Sequence, residues 1–215
     1  MLRRVGRGSN DSPQTGSARS PLAVTRDQRQ PKLPGDGAQP LDAVQAAAWV
    51  ETRERLQGLV QKMASSREIR AEDLEMPRLD LNQVLNALQV PSDAGGLAAD
   101  LERILRRIPD GWGRWIGCGK GWYPLIVELD QRLADLDPGY HVHQVKEKYG
   151  TLSYYVQGAP FVAAAMEALV EQAEAESARI CEQCGGEGVL MEDCGWYATR
   201  CRACTRGSRY RPAER

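Results

Sequence analysis

The sequence lacks the long apolar segments of membrane and secreted proteins. No apolar run approaches the ~18 to 20 residues that a membrane span requires. The first twenty residues contain arginines but no apolar core of a secretory signal. Their serine-rich, acid-poor composition also fits a transit peptide, a disordered tail or a start codon assigned too early. With six cysteines and no signal, we expect a cytoplasmic protein whose thiols remain reduced.

Few side chains are candidates for catalysis. Only two histidines are present, His141 and His143, and no nucleophile or paired carboxylate accompanies them. Two apart on a predicted strand, they would share a face, and we interpret them as surface residues. We therefore predict no enzymatic activity, with a hydrolase or nuclease as a third alternative.

Charge is unevenly distributed along a chain whose net charge is −1. Residues 1–40 hold seven basic and three acidic residues, and residues 200–215 hold six arginines and one glutamate. The intervening segment therefore carries −10. A nucleic-acid-binding protein usually carries its basic face on the folded part, which here has the opposite sign.

Composition and periodicity divide the chain into four regions of an α+β protein. It would be mostly helical, with a β-hairpin and a C-terminal zinc ribbon or knuckle. Residues 1–40, rich in Gly, Pro, Ser, Gln and Arg, are predicted to be a disordered basic tail. Residues 41–92 form a helical segment and residues 93–206 an α+β domain with a zinc site at 181–204. Residues 207–215 form a second basic tail.

Helical spacing of apolar residues predicts three helices before the central loop. In the first, from Leu41 to Met63, the periodic residues are Val44, Ala48, Leu56, Leu59 and Met63. The second covers 81–88 behind an Asp80 cap, and the third covers 96–108 behind Ser92 or Asp93. The third places on one side Leu97, Leu101, Ile104, Leu105 and Ile108. The three helices are either an amphipathic scaffold or a separate docking unit.

The second half predicts a loop, a helix, a hairpin and a further helix. The helix runs from about Trp122 to Leu136, with four inward residues, Leu125, Ile126, Leu129 and Leu133. A hairpin follows around a Tyr149-Gly150 turn, although its hydrophobic alternation is imperfect. A long helix over 160–180 then leads to Cys181.

The loop before this helix contains GCGKG at 117–121, which resembles a phosphate-binding loop only superficially. Gly121 follows Lys120 where serine or threonine is required, and Arg114 replaces the first glycine. We interpret the segment as a rigid loop that packs three tryptophans, Trp112, Trp115 and Trp122. Exposed tryptophans would instead indicate a partner surface.

Four C-terminal cysteines have the spacing of a metal site, Cys-x2-Cys, sixteen residues and Cys-x2-Cys. Two such turns supply the four thiolates of a tetrahedral zinc, each at about 2.3 Å. Four thiolates leave no open position for water, so one Zn²⁺ per chain would be structural. The predicted ligands are Cys181, Cys184, Cys201 and Cys204. A thioredoxin-type redox pair and unligated thiols are the alternatives, and Cys194 is either a replacement ligand or a small packed hydrophobe.

Two basic clusters are candidate contacts for a partner. Lys146-Glu147-Lys148 on the hairpin either protects a solvated strand edge or contacts phosphate or an acidic partner. Beside the last cysteine pair, the arginines with Tyr210 among them either hold nucleic acid or form a solvated tail. They are Arg200, Arg202, Arg206, Arg209 and Arg211.

The second half resembles an uncharacterised zinc-bearing domain family of bacteria and their phages. The shared pattern is GxGW, KEK-aromatic-GxL, a helical serine, CxxCG, a tryptophan and a final cysteine pair, over residues 115–205. The matching positions are Gly119, Gly121, Trp122, Lys146, Glu147, Lys148, Tyr149, Gly150, Leu152, Tyr155, Ser177, Cys181, Cys184, Gly185, Trp196, Thr199, Cys201 and Cys204. Tyr149 replaces a more usual phenylalanine and Ser153 an expected arginine, which weakens phosphate contact by the hairpin. The resemblance implies a cytoplasmic bacterial or mobile-element setting and no particular reaction.

The sequence favours a non-enzymatic, zinc-stabilised interaction protein linked to a phage or prophage. It would bind and modulate a host protein. The alternative is nucleic-acid binding through the C-terminal arginines and the N-terminal tail. The lysines Lys146 and Lys148 and the tryptophans Trp112 and Trp115 are further candidate contacts for either partner.

Overall fold

The computed structural model describes residues 31–213, which form helices and two small sheets. The α+β prediction is confirmed, with a C-terminal cysteine cluster consistent with a zinc knuckle. The five α-helices are α1 (Ala43–Ala64), α2 (Leu81–Asn86), α3 (Ala98–Arg106), α4 (Tyr123–Leu136) and α5 (Ala163–Ser177). Within residues 31–213, none of the helices is long and apolar enough to cross a membrane.

Six strands form two three-stranded sheets. They are β1 (Ile116–Gly117), β2 (His141–Lys148), β3 (Thr151–Gln157), β4 (Val189–Asp193), β5 (Trp196–Arg200) and β6 (Arg211–Pro212). In the first sheet, β2 lies between a parallel β1 and an antiparallel β3. In the second, β4 lies between antiparallel β5 and β6. We call residues 43–81 the helical arm, residues 84–180 the central domain and residues 181–212 the ribbon.

The core is one cluster of buried residues from α3, α4, α5 and the first sheet. The predicted inward residues of α4 are all buried. Four of the five predicted for the third helix are buried too, and Leu97, just before α3, is partly buried. Pro124 at the start of α4 fixes a helical φ and needs no N–H there. Asp80 caps α2 as predicted, because its carboxylate accepts the N–H groups of Asn82 and Gln83. Asp93 does not cap α3, since it accepts the Tyr123 hydroxyl instead.

A buried ion pair joins α3 to α4 inside this core. Arg107 donates to Asp130 at 2.7 Å, and both side chains are at least 95% buried. Asp130 also accepts the Tyr140 hydroxyl at 2.6 Å, and the Arg107 guanidinium lies 4.2 Å from the centre of the Tyr140 ring. Each charge therefore has partners, which a buried charge requires.

The helical arm differs from the predicted scaffold. Asp42 caps α1, but Thr52 is the only buried residue of the helix. Val44, Leu56 and Met63, three of the five periodic residues, are exposed. The first half of α1 contacts the central domain, with the Trp49 ring 5.8 Å from that of Trp115. The exposed residues of the second half show that it extends past the surface that could cover its apolar face.

The hairpin is confirmed, but β2 is not a sheet edge. Tyr149 and Gly150 both adopt positive φ at the turn, and an irregularity between Val142 and Gln144 explains the imperfect alternation. β1 pairs with β2 beside Val145 and Lys146, so the strand-edge interpretation is wrong for Lys146. The true edge, β3, is covered by α5, whose Ser177 and Glu174 side chains accept backbone N–H groups of β3.

Two predicted tail segments contact the fold. Residues 31–40 form a turn in which buried Gly35 donates its N–H to Arg106 O at 2.7 Å. The Arg106 guanidinium in turn donates to the carbonyl groups of Gly35 and Asp36. Arg211 and Pro212 form β6 on the ribbon. Composition did not predict these contacts because they depend on backbone groups. Residues 1–30 of the predicted N-terminal tail lie outside the residues that the structure describes.

Candidate metal centre

The four predicted ligand cysteines converge at one point of the ribbon. The sulfurs of Cys181, Cys184, Cys201 and Cys204 all lie within 4.8 Å of one another. Two ligands of a tetrahedral zinc at about 2.3 Å lie about 3.8 Å apart. The Cys184 and Cys201 sulfurs are 3.7 Å apart, and none of the six cysteines is in a disulfide. The cluster therefore has the donor set and spacing to hold a metal ion.

Backbone hydrogen bonds shape the first cysteine turn. Gly185 adopts a φ of +78°, which favours glycine, and its N–H donates to Cys181 O at 2.8 Å. Cys181 N–H donates to Gly186 O, and Glu182 N–H donates to Thr199 O of β5. These bonds join the turn to the ribbon strands and carry the two cysteine pairs towards each other.

Amide groups aimed at sulfur favour thiolates. The Cys204 N–H lies 3.4 Å from the Cys201 sulfur, and this donor lowers the pKa of Cys201 to about 7. Burial alone would raise the pKa of Cys181, but N–H groups of Cys201, Cys184 and Gln183 lower it below its ordinary value. The pKa of Cys184 is raised despite an N–H from Gly186, and hydrogen bonding to the Cys201 and Cys184 sulfurs raises that of Cys204. The amide groups therefore favour the thiolate that a metal binds at one cysteine of each pair.

The glycine loop before α4 holds the first cysteine turn. Gly121 N–H donates to Glu182 O at 2.7 Å, and Gly119 N–H donates to the Glu182 carboxylate at 2.9 Å. A Cβ on Gly121 would lie 2.1 Å from Cys181 O, so only glycine fits. Trp122 is fully buried and its indole N–H donates to Ile180 O at 2.7 Å. The N–H groups of Gly119 and Gly121 both bond to Glu182 of the ribbon, so they are not available to bind phosphate. This agrees with the rejection of a phosphate-binding loop.

The hairpin turn holds the other side of the ribbon. The buried Thr199 hydroxyl donates to Gly150 O at 2.6 Å. A Cβ on Gly150 would lie 2.3 Å from Leu190 Cδ1 of β4. The ribbon is therefore fixed to the central domain at two points, and the glycines serve close backbone contact at both.

Two cysteines lie outside the cluster. Cys194 is exposed at the β4–β5 turn with a φ of +52°, so it is neither one of the four ligands nor packed in a core. Cys118 lies in the glycine loop, where burial raises the pKa of its thiol and keeps it protonated.

The predicted basic residues do not form a single patch. Arg200 donates to Gln183 and lies 5.3 Å from the Tyr210 ring centre, and Arg209 pairs with Asp193 at 3.3 Å. Arg202 and Arg206 are exposed, and Arg211 lies in β6. Lys146 and Lys148 belong to the other sheet.

The three loop tryptophans separate. Trp122 is in the core, Trp115 is half-buried against Trp49, and Trp112 is exposed and stacks on His143 with ring centres 4.5 Å apart. Sequence reasoning missed Glu182, which holds the loop, and Asp130, which holds the core. Charged residues at apolar-face positions of α3 and α4 were the available signal for the second.

No family model, curated protein or solved structure matches the chain. Geometry and chemistry of the described residues therefore carry the functional interpretation.

Proposed function

We propose that the protein is a non-enzymatic interaction protein of the cytoplasm, held in shape by one structural Zn²⁺. The observation that carries this proposal is the exposed apolar surface of the helical arm. Of the seventeen exposed large hydrophobic residues in 31–213, nine lie in residues 43–81. Exposed apolar surface of this extent marks interaction sites in soluble proteins.

The contact surface centres on the second half of α1. Leu56, Val60 and Met63 follow helical spacing and are exposed by 47%, 43% and 66%. Leu56 and Val60 line a groove of about 380 Å³ with Trp196 of the ribbon. An apolar helix or strand of a partner protein would cover this groove, as in helix-in-groove recognition.

Zinc suits the cysteine cluster better than a reactive metal does. Four thiolates complete a tetrahedral sphere and leave no position for substrate or water. The ion would stabilise the ribbon and so keep Trp196 beside α1. The buried Asp130–Arg107 pair also supports a structural role for the polar core, since it is closed off from solvent.

The phage or prophage link, and a host protein as the partner to be modulated, rest on the family resemblance. Nucleic-acid binding at the C-terminal arginines is the second candidate. It is favoured by the exposed side chains of Arg202 and Arg206 beside the metal cluster. Such binding would weaken steeply as salt rises.

A pull-down from lysate of the source organism, split and run with and without nuclease, tests the proposal. We expect a stoichiometric protein that survives nuclease and is lost with the double variant Leu56→Asp, Val60→Asp. The control Phe161→Asp removes a more exposed apolar side chain, 87% exposed, from the central domain and should retain the partner. Capture of nucleic acid alone, or capture unaffected by the arm variant, would contradict the proposal.

A further inference from the structure

One face of the first sheet carries cations and exposed aromatic rings. Cross-strand partners point the same way, so Gln144 lies beside Tyr155, Lys146 beside Ser153 and Lys148 beside Thr151. Successive residues of a strand alternate faces, so these six side chains share a single face. The opposite face holds Val145, Leu152 and Tyr154 in the core. We call the six-residue surface the lysine–tyrosine face.

Each lysine of this face lies against an exposed tyrosine. Lys146 Nζ is 5.9 Å from the ring centre of Tyr155, and Lys148 Nζ is 5.8 Å from that of Tyr149 at the hairpin turn. Tyr155 is 43% exposed and Tyr149 is 74% exposed. Among residues 31–213, neither lysine has a carboxylate within salt-bridge distance.

The glutamate between the two lysines points away from them. Glu147 pairs with Leu152 of the core face, and its carboxylate accepts the Gly150 N–H. The KEK run therefore separates into two cations on the lysine–tyrosine face and one anion on the other. The face itself holds no acidic residue, although residues 41–199 of the chain are strongly acidic.

We propose that the lysine–tyrosine face binds single-stranded nucleic acid. The lysines would neutralise backbone phosphates, while exposed Tyr155 and Tyr149 rings stack on bases. Gln144 and Thr151 are partly exposed beside them and supply neutral groups for base edges, whereas Ser153 is buried between the strands. An acidic peptide would use the lysines but would leave the two rings without planar partners. This binding goes beyond the protein contact of the helical arm and uses a different surface.

Fluorescence anisotropy with the full-length, zinc-loaded chain tests the proposal. The probe is a labelled oligothymidine of about twelve nucleotides, within the range that single-strand-binding folds cover. Tyr155→Ala should weaken binding about 5- to 150-fold, because one stacked base is lost. The control Tyr197→Ala removes a ring of similar exposure, 39%, from the ribbon and should leave the affinity unchanged.

Salt dependence separates the lysines from the tyrosine. Lys146→Gln with Lys148→Gln should reduce the slope of log affinity against log salt by about 1.4, at about 0.7 per phosphate contact. Tyr155→Ala should lower the affinity without changing that slope. Arg53→Gln with Arg67→Gln removes the same charge from exposed positions of the helical arm and should leave the slope as it is.

Three results would overturn the proposal. They are no binding at about 50 mM salt, equal losses in the lysine and arginine pairs, or full competition by a glutamate-rich peptide of matched charge. Circular dichroism and metal content would verify that each variant folds. The arm variant Leu56→Asp, Val60→Asp should bind the oligonucleotide normally, so failure of the arm contact and failure of the lysine–tyrosine face are distinguishable.

Discussion

The helical arm and the central domain both place apolar residues at helical spacing, but α3 gathers them on one face far more strongly than α1 does, and the two regions bury them very differently. α3 places Leu101, Ile104 and Leu105 at helical spacing and buries each completely. α1 places Leu56, Val60 and Met63 at equally regular spacing and exposes them. Periodicity therefore specifies which side chains share a face, whereas the partner of that face depends on the rest of the fold.

The same contrast extends to polar groups. In the central domain, the Arg107–Asp130 pair is at least 95% buried. In the arm, the Arg55–Glu51 pair lies 2.8 Å apart with side chains 40% and 51% exposed. Distance alone makes the two pairs look equivalent, but the energetic consequence of losing one partner depends on burial.

Metal removal should produce the largest difference between regions. A structural zinc contributes binding free energy on the order of 10 kcal/mol to a small fold, and the ribbon has little core of its own. Chelation, or the variant Cys201→Ser, should open residues 181–204 to trypsin at Arg200 and Arg202. Cleavage in the arm at Arg53 and Arg55 should change much less, because Trp49 holds the first half of α1 against Trp115 of the central domain. Identical proteolysis patterns with and without chelator would contradict a structural metal.

Breaking the two ion pairs should differ by several kcal/mol. Asp130→Asn leaves Arg107 buried without its counter-charge and should cost about 3–5 kcal/mol of unfolding free energy. Glu51→Gln in the arm should change it by less than about 0.5 kcal/mol. Urea unfolding of both variants measures the difference. Equal losses of unfolding free energy in the two variants would contradict a buried charge pair in the core.

Adding one methyl group should have opposite effects in the two regions. Gly121→Ala places a Cβ 2.1 Å from Cys181 O and should destabilise the fold by about 1–3 kcal/mol. At Gly58 of α1, a Cβ meets no atom within 4 Å. Gly58→Ala should therefore stabilise by about 0.5–1 kcal/mol, since alanine favours a helix interior. Thermal unfolding of the two variants measures whether each change stabilises or destabilises the fold. A Gly121→Ala variant as stable as the wild type would contradict the close contact between the glycine loop and the ribbon.

Sequence predicts local features of this fold well because they are encoded by adjacent residues. The Asp80 cap, the buried face of α4 and the Tyr149-Gly150 turn all follow from short patterns. The convergence of the four cysteines follows from their spacing. The exposure of the arm could not be predicted in this way, because the exposure of Leu56 depends on where the central domain ends. The contacts of residues 31–40 could not be predicted either, because they use backbone groups that composition does not reveal.

Long-range contacts explain the features that the sequence did not predict. Gly121 and Glu182 are far apart in the chain, so their hydrogen bond has no local signature. The irregularity between Val142 and Gln144 shifts the alternation of β2, so the shared face of Lys146 and Tyr155 emerges only from strand pairing. Conversely, Cys194 lies close to the clustered cysteines in the sequence but is not part of the cluster in the fold.

Native mass spectrometry of protein purified without added metal tests the structural metal most directly. We expect a single species heavier than the bare chain by one zinc ion, and only the bare chain for Cys204→Ser. A wild-type protein that is folded and metal-free, with its four clustered thiols open to alkylation, would contradict the zinc-stabilised ribbon.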